Sequence, residues 1–349
     1  MSDKYGATEM VIPSTTSKPS FGTRVKNHFR RFWWAHLIAF IVIVLVIVLP
    51  GLCRYPNIAQ DDVNDSTLEV KSISITDPTP DSFHLNQTQV LGTDSMFHPH
   101  FYEFNATARL SGSKKPFTVV QIPPMKANDG TVINVDQDVD LEGDAFGDFS
   151  TAIMLNKEVD MNLFGRPRLK QGALPKIGVV YNKTVTIKGL NKLEGFNVTN
   201  YHITVDPDPF GNSMNGTVSI PNPSVLTITM VSRSPPPFPC LTQSSGPQSN
   251  ANKGNLTMDL SVDGTHVGQA FLNDFVMRPG ENKFDMTAKV NNTVVMDMIG
   301  DKYTKGIVPF DITGNSSIYN GKELPYFSKA LKANTLKVEL NILEGLKGV

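Results

Sequence analysis

Cysteine is nearly missing from this chain. Cys53 and Cys240 are the two present in 349 residues. The first lies at the edge of an apolar run and the second in a proline-rich stretch, which excludes a disulfide framework and a cysteine-based zinc site. An excess of one charge is missing too, since 32 basic side chains balance 33 acidic ones to a net −1. No overall field draws the chain to a polyanion, so nucleic acid is not expected as a partner. Also lacking are the Gly-x-Ser-x-Gly nucleophile elbow, a phosphate loop, a dinucleotide fingerprint and His-Glu-x-x-His. The chain therefore reads as non-enzymatic and cofactor-free, with no catalytic, cofactor-binding or metal-binding residue to nominate.

One long apolar run is present. Ala35 to Leu49 holds a single polar residue, His36, and continues through Pro50, Gly51 and Leu52 to Cys53. At about 1.5 Å per residue, a helix over 34–53 spans roughly the ~30 Å hydrocarbon layer once. Phe32, Trp33 and Trp34 stand at its start, where amphipathic rings favour the headgroup level. Arg24, Lys26, Arg30 and Arg31 precede it, whereas Asp61, Asp62, Asp65 and Glu69 follow. The positive-inside bias then puts a disordered tail, 1–33, in the cytosol and everything after the helix across the bilayer. The run ends in Pro-Gly-Leu-Cys without a small-x-small cleavage site, so it reads as a signal anchor and not a removed signal peptide. The bilayer is thus one expected partner. His36 falls at the cytosolic edge, where it can snorkel, and Cys53 at the opposite boundary. Nine Asn-x-Ser/Thr sequons, at Asn64, Asn86, Asn105, Asn182, Asn197, Asn215, Asn255, Asn291 and Asn315, all follow the run and none precedes it. They are the expected glycosylation sites.

From residue 67 onward, short segments alternate apolar and polar residues, as in Leu68 to Ile75 and Tyr181 to Ile187. Residues two apart share a strand face, so many such runs separated by Gly, Pro and Asn predict a mainly β chain of antiparallel sandwiches. Phe146, Phe149 and Ile153 instead follow a helical spacing, which predicts a short helix on the first sandwich, and a second helix is expected near 326–333. Asp263-Gly264 between apolar runs indicates a hairpin turn, expected over Gly264 to Gly268. Asn191 to Phe196 and Asn341 to Leu346 echo one another, suggesting two related domains, 66–205 and 206–349, joined at Asp206-Pro-Asp-Pro209. Asp136, Asp138 and Asp140 alternate as in a calcium loop, but Leu141 and Gly147 occupy positions that need glycine and glutamate. A strand with an acidic outer face is expected there. His84, His98 and His100 lack companion ligands and are expected on exposed turns.

Several segments are similar to a known family. Gly216-Thr-Val-Ser-Ile-Pro-Asn-Pro-Ser-Val-Leu-Thr-Ile228, Val262-Asp-Gly-Thr-His-Val-Gly268 and Met277-Arg-Pro-Gly-Glu-Asn282 resemble the late-embryogenesis-abundant type-two (LEA-2-like) domain. With Phe146 to Phe149, Val159 to Gly165 and Val185 to Leu190, the chain resembles, over about 24–349, fungal single-pass membrane proteins that carry such domains. The resemblance implies two tandem Ig-like β-sandwiches, a vacuolar or plasma membrane location, and no catalytic residues. It also implies binding of a lipid, or of a protein or glycan ligand, on the lumenal side, and a lipid-binding or lipid-transfer role requires an apolar cavity inside a sandwich. Pro221 and Pro223 are expected to bend the chain between two strands. One departure is residues 231–253, a Pro/Ser/Gln-rich insertion where relatives would pass straight into Gly-Asn-Leu-Thr. It reads equally as a surface loop, since closure entropy grows slowly with length, or as a retained intron.

Overall fold

The computed structural model describes residues 21–142, 144–204, 206–230 and 255–346. The insertion 231–253, Cys240 and the first part of the N-terminal tail lie outside the described residues. The chain divides into two compact units, Met1–Pro56 and Asn57–Val349. The first is dominated by helix α1 (Phe21–Asp65), which non-helical φ/ψ at Phe32 interrupt just before the apolar run. The expected span 34–53 lies within α1, and its stretch His28–Val46 is long and apolar enough to cross a membrane. Trp33, Phe40 and Val46 are 63, 65 and 65% exposed on it. A stretch of this length and apolar composition suits lipid as its solvent.

The second unit is mainly β, as the alternating pattern predicts. Its first strands are β1 (Thr67–Thr76), β2 (Ser82–Gly92), β3 (His100–Phe101), β4 (Phe104–Leu110), β5 (Pro116–Ile122), β6 (Met125–Lys126) and β7 (Thr131–Asp140). Helix α2 (Ala145–Leu155) follows, then β8 (Glu158–Gly165), β9 (Arg168–Lys170), β10 (Ile177–Gly178), β11 (Tyr181–Lys188), β12 (Asn197–Ile203), β13 (Met214–Asn222) and β14 (Leu226–Thr229). The remainder holds β15 (Asn255–Val262), β16 (Thr265–Asn273), β17 (Val276–Met277), β18 (Gly280–Val290), α3 (Asn292–Asp301), β19 (Ile307–Tyr319), β20 (Lys322–Glu323), α4 (Pro325–Lys332), β21 (Thr335–Asn341) and α5 (Ile342–Leu346).

Three sheets carry the core. One has the order β17-β14-β1-β2-β7, a second β11-β8-β4-β5, and the third β12-β13-β18-β16-β15-β19-β20 with β21 also on β19. A small sheet, β10-β9-β3-β6, stands beside them. The expected hairpin is there but its turn is shorter than 264–268: Asp263 and Gly264 take φ of 50° and 78° between paired Val262 and Thr265, the left-handed geometry a type I′ turn needs, and Thr265 to Gly268 already belong to β16.

The expected division at 205/206 does not separate two bodies. Asp206-Pro-Asp-Pro209 is a hairpin loop, because β12 before it pairs antiparallel with β13 after it. The Asp208 carboxylate accepts the backbone N–H groups of Phe210 and Asn212, both at 2.8 Å, and the side-chain amide of Asn212. These bonds hold its pKa below the usual carboxylate value. Further on, β14 leaves its neighbours and pairs parallel with β1, with Ile73 opposite Leu226 and Ile75 opposite Ile228. Chain from the two expected halves thus completes one sheet. The bend that makes this crossing falls at Pro223. Pro221 stays in β13, beyond the reach of β12, where its missing N–H costs no ladder bond. The echoing segments also differ: Asn191, Lys192 and Leu193 all have positive φ, whereas 342–346 forms the helix α5.

The two predicted helices, α2 and α4, pack on one another and close one side of the core. Phe146 meets Phe83 at 5.2 Å, Phe117 at 5.7 Å and Tyr326 at 5.1 Å between ring centroids. Lys329 pairs with Asp148 at 2.6 Å above this cluster. Phe146 is therefore the pin through both helices and two sheets. Phe146→Ala is expected to cost ~3–5 kcal/mol by emptying a buried aromatic site, read as a lower denaturation midpoint. Because the core is shared, wild type and variant should each unfold in one transition.

Candidate functional site

The inward faces of the three sheets do not close completely on one another. A cavity of about 150 Å³ remains, and residues from all three sheets line it. Ile75 of β1 and Leu85 of β2 face it from the first sheet, Val120 and Leu163 from the second, and Met258 and Leu272 from the third. Leu226 and Ile228, carried in by β14, lie at the seam. Among the described residues no charged side chain lines it. Apolar walls follow directly from the strand alternation, since every second residue of each strand points inward.

Polar residues interrupt that pattern, among them Thr118 on β5 and two neighbouring positions on β2. On β2 the inward series is Phe83, Leu85, Gln87, Gln89, Leu91, and Gln87 and Gln89 are 5 and 1% exposed. Their pairing neighbours are apolar on both sides: Ile73 and Val135 flank Gln87, and Val70 and Ile133 flank Gln89. Phe149, Ser150, Phe196, Phe327 and Leu331 line the cavity but are half-buried. They lie on α2, on α4 and on the 190–196 segment that Asn334 ties down through a 2.9 Å bond to the Lys192 carbonyl. This side of the cavity is thus covered by side chains and not by a strand ladder. A second, apolar cavity of about 130 Å³ lies under α3 and α5, between Met214, Val295, Phe310 and Ile342.

The histidines and carboxylates weighed from sequence do not assemble a metal centre, and among the described residues no group of three such ligands has suitable geometry. Asp136, Asp138 and Asp140 stand on the outer face of β7, alternating with the inward face that carries buried Val135 and Val139. The partner that sequence reading missed is His84, on the neighbouring strand. Its Nδ1 lies 2.8 Å from Asp138 and its Nε2 2.9 Å from Asp136. The signal becomes legible only in the β2–β7 register, which sets His84 opposite Asp138. His98 bonds the Ala127 carbonyl at 3.2 Å, and His100 packs edge-on to Tyr102.

Another polar contact was also hidden in the sequence. Lys183, inward on β11 and 7% exposed, donates from Nζ to the Asn64 carbonyl at 2.9 Å and to the Ser66 carbonyl. It satisfies backbone oxygens at the end of α1, and burial lowers its pKa from the ordinary lysine value while Asp65 opposes the shift.

Of the sequons, Asn64, Asn86, Asn105, Asn182, Asn197, Asn215 and Asn291 are exposed. Asn291 caps α3, its Oδ1 accepting from the Val294 N–H at 3.3 Å. Asn315 is half-buried, and its Nδ2 donates to both oxygens of Asp259 at 3.0 and 2.9 Å. Asn255 begins β15, with its side chain outside the described residues.

Residues 115–233 match a family described as "Protein of unknown function (DUF3712)". The matched stretch runs from β5 past β14 and crosses the 205/206 boundary, as the shared core does. No curated protein matches the chain. Among solved structures, it is similar to a bacterial adhesin from Mobiluncus mulieris, at 7% identity and TM-score 0.20 over 72% of this chain and 81% of the other. It is also similar to the periplasmic chaperone SfaE, at 10% identity and TM-score 0.16 over 78 and 97%. A partial N-terminal region of enterococcal surface protein gives 9% identity and TM-score 0.16 over 79 and 93%. Likeness at these TM-scores carries no functional argument.

The hydrogen bond to Asp138, reinforced by the Asp136 charge, raises the His84 pKa above 6.5 despite some desolvation. A raised folded-state pKa means stabilisation that is complete below the unfolded value of 6.5 and lost as pH climbs through the folded one. Solvent screening keeps that contribution small, since the side chain is 36% exposed. NMR titration should place the His84 midpoint above 6.5, and Asp138→Asn should move it down.

Proposed function

We propose that this chain is a single-pass membrane protein whose β-rich unit lies on the non-cytosolic side and binds an apolar or amphiphilic molecule of lipid type without catalysing a reaction. The observation that carries the reading is the cavity among the three sheets. Of the roles that the LEA-2-like resemblance implies, lipid binding is the one that needs apolar interior space. At about 150 Å³ the space falls below the ~300–1,000 Å³ of whole drug-sized ligand pockets. It therefore suits a short chain, or one end of a longer one. A vacuolar or plasma membrane location accords with the basic residues before α1 and the sequons after it.

Photoactivatable alkyl probes, applied to the full chain in lipid nanodiscs, test the cavity. Labelling is expected on Leu163, Met258 and Leu272, and Ala108→Phe should lower it about tenfold, equivalent to ~1.4 kcal/mol of binding. Labelling confined to α1 would overturn the reading. Sidedness has its own test, because an N-linked glycan occupies Nδ2 and leaves Oδ1 free to accept. Peptide mapping should find carbohydrate at Asn291 and none at Asn315, whose Nδ2 is committed to Asp259. An unglycosylated protein free in the cytosol would refute the location.

A further inference from the structure

We infer that Gln87 and Gln89 form a polar reader inside the cavity, and that its ligand is an uncharged amphiphile presenting one hydroxyl or carbonyl to them. The inference rests on the cavity being a ligand site and specifies what enters it.

Both side chains are at least nine-tenths buried and line the cavity. Neither forms a side-chain hydrogen bond among the described residues, and neither amide is wholly sealed, so both keep polar surface at the cavity, whereas the other buried polar groups of the lining are engaged. Thr118 donates to the Asp140 carbonyl at 2.7 Å, Ser224 accepts the Leu226 N–H, and Asn334 donates to the Lys192 carbonyl. Burying an amide without a partner is costly, and a shape-matched apolar residue at the same place would not be. Leucine would suit both positions on this strand face, as it does at Leu85 and Leu91. Two unbonded glutamines on an interior strand of a largely apolar wall therefore break a local rule without a structural gain, which is the mark of a functional position.

The chemistry of the pair then selects the ligand. Residues 87 and 89 are two apart on one strand, so their amides stand side by side, roughly 7 Å apart along it. Together they offer NH₂ donors and carbonyl acceptors, which match a hydroxyl or an ester or amide carbonyl. A carboxylate, phosphate or ammonium is disfavoured, because no charged lining residue would compensate it in an apolar enclosure. The body of the ligand must be apolar to match the remaining wall. A fatty alcohol or an acyl ester fits.

The test uses diazirine-bearing decanol, the corresponding decane and the corresponding decanoate with the full chain in nanodiscs. Cavity labelling by the alcohol is expected to exceed that by the alkane and the carboxylate about tenfold. In the double variant Gln87→Leu/Gln89→Leu, alcohol and alkane should label equally and the melting temperature should not fall. Equal labelling of the wild type by alcohol and alkane overturns the reader, with water as the amides' partner, while leaving the cavity as an apolar binding site. Preferred labelling by decanoate also overturns it. Absence of cavity labelling by any probe removes the site itself. A lower melting temperature in the double variant would mean that the amides hold the fold together, contrary to the inference. Single Gln87→Met and Gln89→Met variants, each apolar and unbranched, give the same comparison if the double variant does not fold.

Discussion

The parallel pairing of β14 with β1 is the contact on which the rest of the β-rich unit depends. It joins strands about 150 residues apart in sequence, so its formation must follow closure of a long loop, which is an entropic cost set against every contact it enables. What makes it possible is local. Asn222, 2% exposed, donates from Nδ2 to the Leu226 carbonyl at 2.8 Å and accepts from the Ser224 N–H at 2.9 Å. Its side chain thus replaces the ladder bonds that the Pro223 bend removes. The chain leaves the β12-to-β20 sheet at that point and enters the sheet of β1 and β2.

That single crossing explains why the interior is continuous. Were β14 to stay with its own half, β1 would present a bare edge and each sandwich would close separately. Instead Leu226 and Ile228 sit at the seam of three inner faces. Three twisted sheets meeting at a seam do not interdigitate as completely as two stacked ones, and the cavity occupies the remainder. The side nearest α2 and α4 is sealed by aromatic packing around Phe146 and by one exposed ion pair. These contacts depend on side chains, so opening there breaks no strand ladder. The polar decoration outside, including His84 with its two carboxylates, sits on the opposite face of the same strand that carries Gln87 and Gln89 inside.

The sequence by itself determined the local elements. The strand alternation, the helical spacing of Phe146, Phe149 and Ile153, the Asp263-Gly264 turn and the apolar run of α1 were all legible because each depends on neighbours a few residues away. It also determined that Asp136, Asp138 and Asp140 face outward, since Val135 and Val139, on the alternate positions of the strand, must face in. Tertiary structure alone decided what lies across from what. The Asp206-Pro-Asp-Pro209 stretch carries the composition of a linker, and only the β12–β13 register makes it a hairpin loop. His84 acquires its carboxylates, and Lys183 the carbonyls at the end of α1, from residues more than 50 positions away. The cavity and the isolation of Gln87 and Gln89 within it exist only where three sheets converge. Periodicity records which face of a strand a residue occupies, but the partner opposite that face is set by long-range packing that no local pattern encodes.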